Sequence, residues 1–375
     1  MPTLAETPSD LTWNGDARAV VDALLSDAVS RGASDVHVEP VENGCEVRYR
    51  IDGLLQPVAS YGAEAGRAVV GRLMVLANLL TYRVDLPQEG RLTFSPRARS
   101  TSSRQAGQDR PLDFRLAIMP TAQGLRAAIR LPAELLQSRS LEELGLPPGV
   151  LAGCRAFAAA DSGMLIVTGP AGSGKTTTIY AVLQHIAETS AGLSIVTLED
   201  PVERRLHGVT QIEVKPFGEL TYERCLRSIL RQDPQVLMLG EIRDAATASL
   251  ALSAALSGHR MICTLHAATP GGAIARLLEM GMEPYQISSS LLGVIAQRLV
   301  RKGSAAAGYA GRAPIAEYAP MTEDLRRAVL ARSDASTLAK AIAARGGHID
   351  LRQAAGEAVA RGVTDSAEVA RVLGT

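Results

Sequence analysis

Aromatic side chains are scarce in this sequence: they make up 3% of 375 residues, with a single tryptophan. Single-stranded nucleic acid is tracked by aromatic rings interleaved with basic residues, and no such interleaving is present. Net charge is missing as well. Thirty-nine lysines and arginines balance thirty-nine aspartates and glutamates, so no global field draws the protein to a polyanion or an anionic bilayer, and nucleic acid is not an expected partner. The four cysteines, at 45, 154, 225 and 263, include no CxxC pair, which excludes a four-cysteine zinc module and points to buried, reduced thiols. Long apolar runs are also absent. The longest, Val69 to Leu80, is broken by Arg72 and falls short of the roughly 20 residues that span a bilayer. The N-terminus has no basic-then-apolar signal pattern, so the chain reads as cytosolic.

What is present is enough apolar residue for more than one core, 46% of the chain, and most of it is aliphatic. Residues 1–15 are polar with two prolines and read as a loose tail. Residues 16–131 read as an α+β domain. Asp16–Arg31 has helical apolar spacing and stops at Gly32, and Asp35–Pro40 and Cys45–Leu54 alternate like half-buried antiparallel strands. Tyr61–Leu80 reads as a second helix, Leu92–Phe94 and Asp113–Ile118 read as further strands, and Arg126–Leu131 closes the domain. Between two of them, Ser95–Pro111 is rich in Ser, Arg and Gln and reads as a mobile loop. Its four arginines are expected to be solvated, a polyanion contact being the alternative. Residues 132–149, with three prolines, read as a linker, and a second domain is expected over 150–375.

That second domain alternates strand and helix. Strands are expected at Met164–Val167, Ser194–Leu198, Val236–Leu239 and Met261–Leu265; helices at Thr176–Glu188, Tyr222–Arg231, Thr247–Ser257 and Gly272–Met280. Alternation of this kind implies a parallel sheet covered on both faces, with functional residues at the C-terminal strand ends. Pro284–Val300 reads as one more helix, Gly303–Gly311 as a loop, and the stretch from Met321 as Ala/Arg-rich helix.

The sharpest signal is the turn after the first of these strands, Gly169-Pro170-Ala171-Gly172-Ser173-Gly174-Lys175-Thr176-Thr177. Glycines let backbone N–H groups converge on a β-phosphate, Lys175 supplies a point charge toward the β/γ-phosphates, and the Thr176 hydroxyl can ligate Mg²⁺. A random chain of this length would contain such a motif only about 1% of the time. Nucleoside triphosphate binding is therefore predicted. Three other strand ends finish in residues suited to phosphate chemistry: Thr197–Glu203, Leu239–Asp244 and Cys263–His266. Hydrolysis needs a carboxylate to orient water, another to hold Mg²⁺ through water and a polar group that registers the γ-phosphate, and Glu199, Glu241 and His266 fit these needs. Singly, each acidic residue would be read as a helix cap or first-turn charge. Their coincidence with the phosphate loop reverses that reading.

The set Gly169–Thr177, Thr197–Glu203, Leu230–Pro234, Gly240–Asp244, Thr264–Ala267 and Ala273–Leu277 resembles the secretion ATPase superfamily of type II secretion and type IV pilus assembly motors. Ala33–Pro40 and Val47–Leu55 resemble that family's second N-terminal domain. The resemblance implies a RecA-like P-loop α/β domain preceded by a smaller α+β, PAS-like domain. It further implies an acidic box around Glu199 holding the catalytic base, a Walker B glutamate at Glu241 and a histidine box at His266. The implied machine is a homo-hexamer, cytoplasmic and peripheral to the inner membrane, which docks on an inner-membrane assembly platform and turns ATP and Mg²⁺ into movement of pilin-like subunits. Two departures stand out. The family's zinc module is replaced by the short cysteine-free loop Lys302–Gly308, so no zinc is expected, and the chain starts at the second N-terminal domain, lacking the first. A pilus-retraction or competence-system motor is the rival within the family, and a nucleic-acid translocase the rival outside it. Arg50 is the further candidate: it shares a strand face with Arg48, a solvated face is the plain reading, and delivery to bound nucleotide by domain closure or by a neighbouring subunit is the sharper one.

Overall fold

The computed structural model describes residues 11–95, 111–132, 140–215 and 218–374. Most of the expected tail, the Ser/Arg-rich insert and the middle of the expected linker lie outside the described residues. The chain divides into two compact units, Met1–Gln137 and Ser138–Thr375.

In the first unit, helix α1 (Ala17–Ser30) is capped by Asp16, whose side chain accepts from the Arg18 N–H. Strands β1 (Asp35–Val41), β2 (Gly44–Ile51) and β3 (Leu54–Gly62) lead to helix α2 (Ala63–Leu76), and β4 (Gln88–Phe94), β5 (Leu112–Thr121) and β6 (Gly124–Arg130) follow. All six strands join one antiparallel sheet in the order β3-β2-β1-β6-β5-β4. Alternation decides which face is covered: on β2, Val47 and Tyr49 are fully buried, whereas Arg48 and Arg50 are on the other face with their side chains about one third exposed. β3 occupies residues expected partly as helix. Its turn is made at Asp52 and Gly53, both at positive φ, so the chain reverses two residues after β2 ends.

The second unit opens on α3 (Pro148–Ala159), with Leu141, Leu144 and Leu146 of the preceding stretch packed into its core. Its sheet has the order β13-β12-β7-β11-β10-β8-β9, parallel throughout except for the β12–β13 pair. The strands are β7 (Gly163–Thr168), β8 (Ile195–Glu199), β9 (Thr210–Glu213), β10 (Val236–Leu239), β11 (Arg260–Leu265), β12 (Leu291–Ser304) and β13 (Gly308–Pro320). β7, β8, β10 and β11 are buried along their whole length, because helices cover both faces. Met164 and Ile166 point into a core shared with α5 (Tyr222–Ile229), α6 (Ala245–Leu256) and α7 (Pro270–Glu279), while Leu165 and Val167 point into one shared with α3 and α4 (Lys175–Thr189).

One expected helix is a strand. Pro284–Val300 begins as the seven-residue helix α8 (Pro284–Ser290) but then extends as β12, pairing with β7 on one side and β13 on the other. A continuous apolar run buried on both sides carries no period to separate strand from helix. Gly293 marks the difference: a Cβ there would lie 2.6 Å from the Tyr318 ring of β13. β13 itself, with Pro314 and Pro320, pairs only with β12 and so tolerates proline as an edge strand.

Helices α9 (Glu323–Leu330), α10 (Ala335–Ala343), α11 (Leu351–Ala360) and α12 (Ser366–Leu373) end the chain. α12 is tied to β12 by Glu368, which accepts from the Arg301 and Arg371 side chains at 2.7 and 2.6 Å. Burial alone would raise the Glu368 pKa, but the donors from Arg371 and Arg301 outweigh it and hold it at about 2. A carboxylate depressed in the folded state contributes stability above its unfolded pKa and loses it as pH falls from there toward the folded value, here between about 4.5 and 2. Glu368→Gln is therefore expected to cost roughly 2–3 kcal/mol at pH 7. In denaturant melts the gap between variant and wild type should begin to narrow below about pH 4.5 and close as pH approaches 2; a gap of constant size would refute the linkage.

Candidate active site

The loop between β7 and α4 takes its shape from glycines at positions where other residues would collide. Gly169 has φ 148°, and a Cβ there would lie 2.4 Å from the Gln297 carbonyl oxygen of β12. Gly174, at φ 85°, would place a Cβ 2.8 Å from the Gln297 amide. Gln297 is the clamp: its Nε2 donates to the Ser173 carbonyl (2.8 Å) and its Oε1 accepts from Thr178 Oγ1 (2.8 Å). The neighbouring helices α5, α6 and α7 are capped by Thr221, Asp244 and Thr269, whereas α4 starts at the left-handed Gly174 with no side-chain cap. Its first N–H groups thus receive no side-chain acceptor from the N-cap, the arrangement that suits an anion. The Ser173 hydroxyl is buried in the same loop without a protein partner.

Lys175 and Thr176 are the first two residues of α4. Lys175 Nζ donates to the carbonyls of Gly169 (2.9 Å) and Pro170 (2.8 Å). Burial pushes its pKa down, while Glu241 and Glu203 pull it back up. Both residues line a crevice of about 160 Å³ together with Glu199, Asp200, Glu203, Tyr222, Glu241, Arg243 and His266. The expected strand ends thus do open on one crevice.

The acidic groups in it differ sharply. Glu199, at the end of β8, is 2% exposed. Its Oε1 accepts from Thr197 Oγ1 (2.5 Å) and Gln211 Nε2 (3.1 Å), and its Oε2 accepts from the Tyr180 hydroxyl. Glu241, just after β10, is one fifth exposed and sits in a polar cluster: it pairs with Arg243 Nε at 2.7 Å and contacts His266 Nε2 at 2.8 Å, and Arg243 is also 3.4 Å from Asp200. Side-chain hydrogen bonds from Arg243 to Glu241 raise the Arg243 pKa. The loop carrying His266 is fixed from below by Thr168, whose single hydroxyl hydrogen is within reach of the carbonyls of Leu265 (2.6 Å) and Ala267 (2.8 Å) and whose oxygen accepts from the Ala267 N–H (2.9 Å), and by Arg298, which donates to the Ala268 carbonyl (3.0 Å).

Magnesium would fit as an ion carried by phosphate oxygens. Among the described residues no group of three or more His, Cys, Asp and Glu is arranged to hold a metal. The hydroxyl of Thr176 and the carboxylate of Glu241 are hard oxygen donors, and Mg²⁺ commonly keeps most of its waters and takes only one or two protein ligands beside substrate phosphates.

Arg50 is elsewhere, in the first unit. Its Nε is 3.4 Å from Asp35 and its Nη1 donates to the Gly53 carbonyl at 3.1 Å. Several side chains that shape the site were not singled out from the sequence: Tyr180, Gln211, Gln297, Arg298 and Thr168. A buried glutamine inside the apolar run Gly293–Val300 was the one available signal.

A largely parallel sheet whose strands β7, β8, β10 and β11 are buried throughout, with an uncapped glycine loop after β7, defines a RecA-like P-loop fold. Residues 14–371 match the sequence profile of the Type II/IV secretion system protein family, and the chain belongs to that family. It is 38% identical to the type II secretion system protein HxcR of Pseudomonas aeruginosa, over 94% of this chain and 76% of that one. It is 35% identical to the type IV pilus assembly ATPase PilB of Thermus thermophilus, over 97% of this chain and 44% of that one. Among solved structures, the Yersinia pseudotuberculosis ATPase DotB shares the fold with a TM-score of 0.76 at 21% identity, covering 98% of this chain and 96% of that one. Among the described residues no helix is long and apolar enough to cross a membrane.

Proposed function

We propose that this chain is an ATP-hydrolysing motor that powers type II secretion or type IV pilus assembly, working as a homo-hexamer on the cytoplasmic face of an inner-membrane platform protein. The observation that carries the reading is the convergence of Lys175, Thr176, Glu199, Glu241 and His266 on one crevice. The relatives named for type II secretion and pilus assembly support secretion or extension over the retraction and competence alternatives. Nucleic acid is not proposed as a partner, on charge grounds.

In this reading the residues of the loop, Gly169, Pro170, Ala171, Gly172, Ser173, Gly174, Lys175, Thr176 and Thr177, bind the triphosphate through backbone N–H groups and the Lys175 ammonium. Thr176 and Glu241 would hold Mg²⁺, which supplies charge neutralisation at the β- and γ-phosphates. Glu199, held in one orientation by three donors, orients the attacking water and accepts its proton. His266 senses the γ-phosphate: it contacts Glu241 at 2.8 Å, so any change at Glu241 reaches it directly. Turnover of ATP by the purified wild type, lost on Lys175→Ala, tests the reading; absence of any nucleotide turnover by the assembled protein refutes it.

Arg50 is proposed to supply positive charge to the transition state. It would exchange its Asp35 and Gly53 partners for phosphate oxygens. Arg50→Ala is expected to leave ATP affinity nearly unchanged and to cut turnover by roughly tenfold or more. Wild-type activity should rise more than linearly with protein concentration as assembly completes the site. A variant turning over at the wild-type rate in an assembled ring would return Arg50 to the role of a surface ion-pair partner.

A further inference from the structure

Tyr180 stands one turn after Thr176 on α4, so spacing i, i+4 puts the Thr176 hydroxyl and the phenol on one helix face. Its hydroxyl donates to Glu199 Oε2 and accepts from the Glu203 N–H at 3.3 Å. The guanidinium of Arg204 stacks 5.7 Å from the centre of its ring. Burial pushes the phenol far above its ordinary range, so it stays a donor at any working pH. Thus the helix that begins in the phosphate loop is bonded, through one hydroxyl, both to the buried carboxylate and to the backbone of the acidic loop after it. Thr197 and Gln211 both donate to Oε1, so among the described residues the phenol is the one hydrogen-bond donor the structure gives Oε2, and the three together fix the rotation about the last side-chain bond.

We infer that Tyr180 is a positioning residue for hydrolysis, setting the orientation of Glu199 and linking displacement of α4 at the phosphate end to the group that handles the attacking water. The inference rests on the proposed role of Glu199. A tyrosine that merely filled its place would lose stability on substitution with kcat kept; one that positions Glu199 loses kcat while nucleotide affinity is kept.

Tyr180→Phe removes only the hydroxyl. Expected are a kcat lower by about tenfold or more, a KM for ATP and an affinity for a fluorescent ATP analogue within about twofold of wild type, and a folded protein whose melting temperature drops by only a few degrees, since one buried hydrogen bond is lost. Placed on Glu199→Gln, the same change should cost no further single-turnover rate, because it acts through Glu199. Wild-type kcat in Tyr180→Phe, a proportionate loss of affinity and kcat, or an additive further loss on Glu199→Gln each overturn the inference. If Tyr180→Phe does not fold, Tyr180→Met, which keeps a long apolar side chain without the hydroxyl on Oε2, is expected to lower kcat without raising KM, and an unchanged kcat there overturns the inference. Normal turnover in Glu199→Gln would instead remove the reading on which the inference rests, an outcome distinct from all of these.

Discussion

Lys175→Ala is expected to give a folded protein with no measurable ATP turnover. The ammonium rests on the carbonyls of Gly169 and Pro170, at the mouth of the loop and in the crevice wall. Those two carbonyl contacts are neutral, so little holds the charge there once phosphate oxygens compete for it. Partial burial disfavours its charged form, and a phosphate anion restores it by pairing. Removing one preorganised cation at developing charge costs on the order of 10²–10³-fold in rate, and loss of binding compounds this. The fold survives because β7 and α4 are held by Leu165, Val167, Ile179 and Val182, all fully buried, and the loop by Gln297. Melting temperature and circular dichroism should match wild type while phosphate release falls to background. Turnover at the wild-type rate would sink the assignment of this loop as the phosphate site.

Much of the second unit's sheet was legible because its strands are short apolar runs punctuated by polar strand ends. Met164–Val167, Val236–Leu239 and Met261–Leu265 lie where the alternation of strand and helix puts them, within a residue or two of their observed bounds. Legibility failed where burial is two-sided and long. β12 has no period that separates it from a helix, and its consequence was lost with it: Gln297, which clamps the phosphate loop across 124 residues of sequence, cannot be read as a clamp if its strand is read as a helix. β3 was missed because Leu54–Gly62 carries exposed Leu55, Gln56 and Pro57 beside buried Val58 and Ala59, with a register shift opposite Val47 and Arg48 that breaks the alternation.

The candidate site divides in the same way. Glycines and strand-end carboxylates carry their chemistry in residue type and spacing, so Gly169 to Thr177, Glu199, Glu241 and His266 could be proposed from the sequence. The groups that hold them are ordinary residues made specific by contact. Tyr180 reads as one apolar position on an amphipathic helix until its hydroxyl is placed on Glu199. Arg298 reads as a helix charge until it is found on a strand, donating to the Ala268 carbonyl beside the His266 loop.

Glu199→Gln is expected to bind ATP with near wild-type affinity and to hydrolyse it at below about 1% of the wild-type rate, since an amide cannot accept the proton of an attacking water. The geometry adds a second reason. All three partners of Glu199 are donors, and an amide must turn its NH₂ toward some of them. Toward Gln211 it cannot turn without conflict, because the Gln211 amide is itself fixed by the Leu206 N–H on its oxygen and the Arg204 carbonyl on its nitrogen. The NH₂ therefore faces Tyr180, whose hydroxyl must rotate to accept while already accepting from the Glu203 N–H. That strain falls on the acidic loop and leaves the phosphate loop untouched, which is why affinity is retained. Glu241→Gln should behave differently: it weakens the contacts to His266 and Arg243 and the proposed hold on magnesium, so both affinity for Mg·ATP and rate should fall. Filter binding of labelled ATP beside single-turnover hydrolysis separates the two. If Glu241→Gln traps ATP and Glu199→Gln turns over normally, the carboxylate at the end of β10 is the base and the buried one at the end of β8 holds the loop.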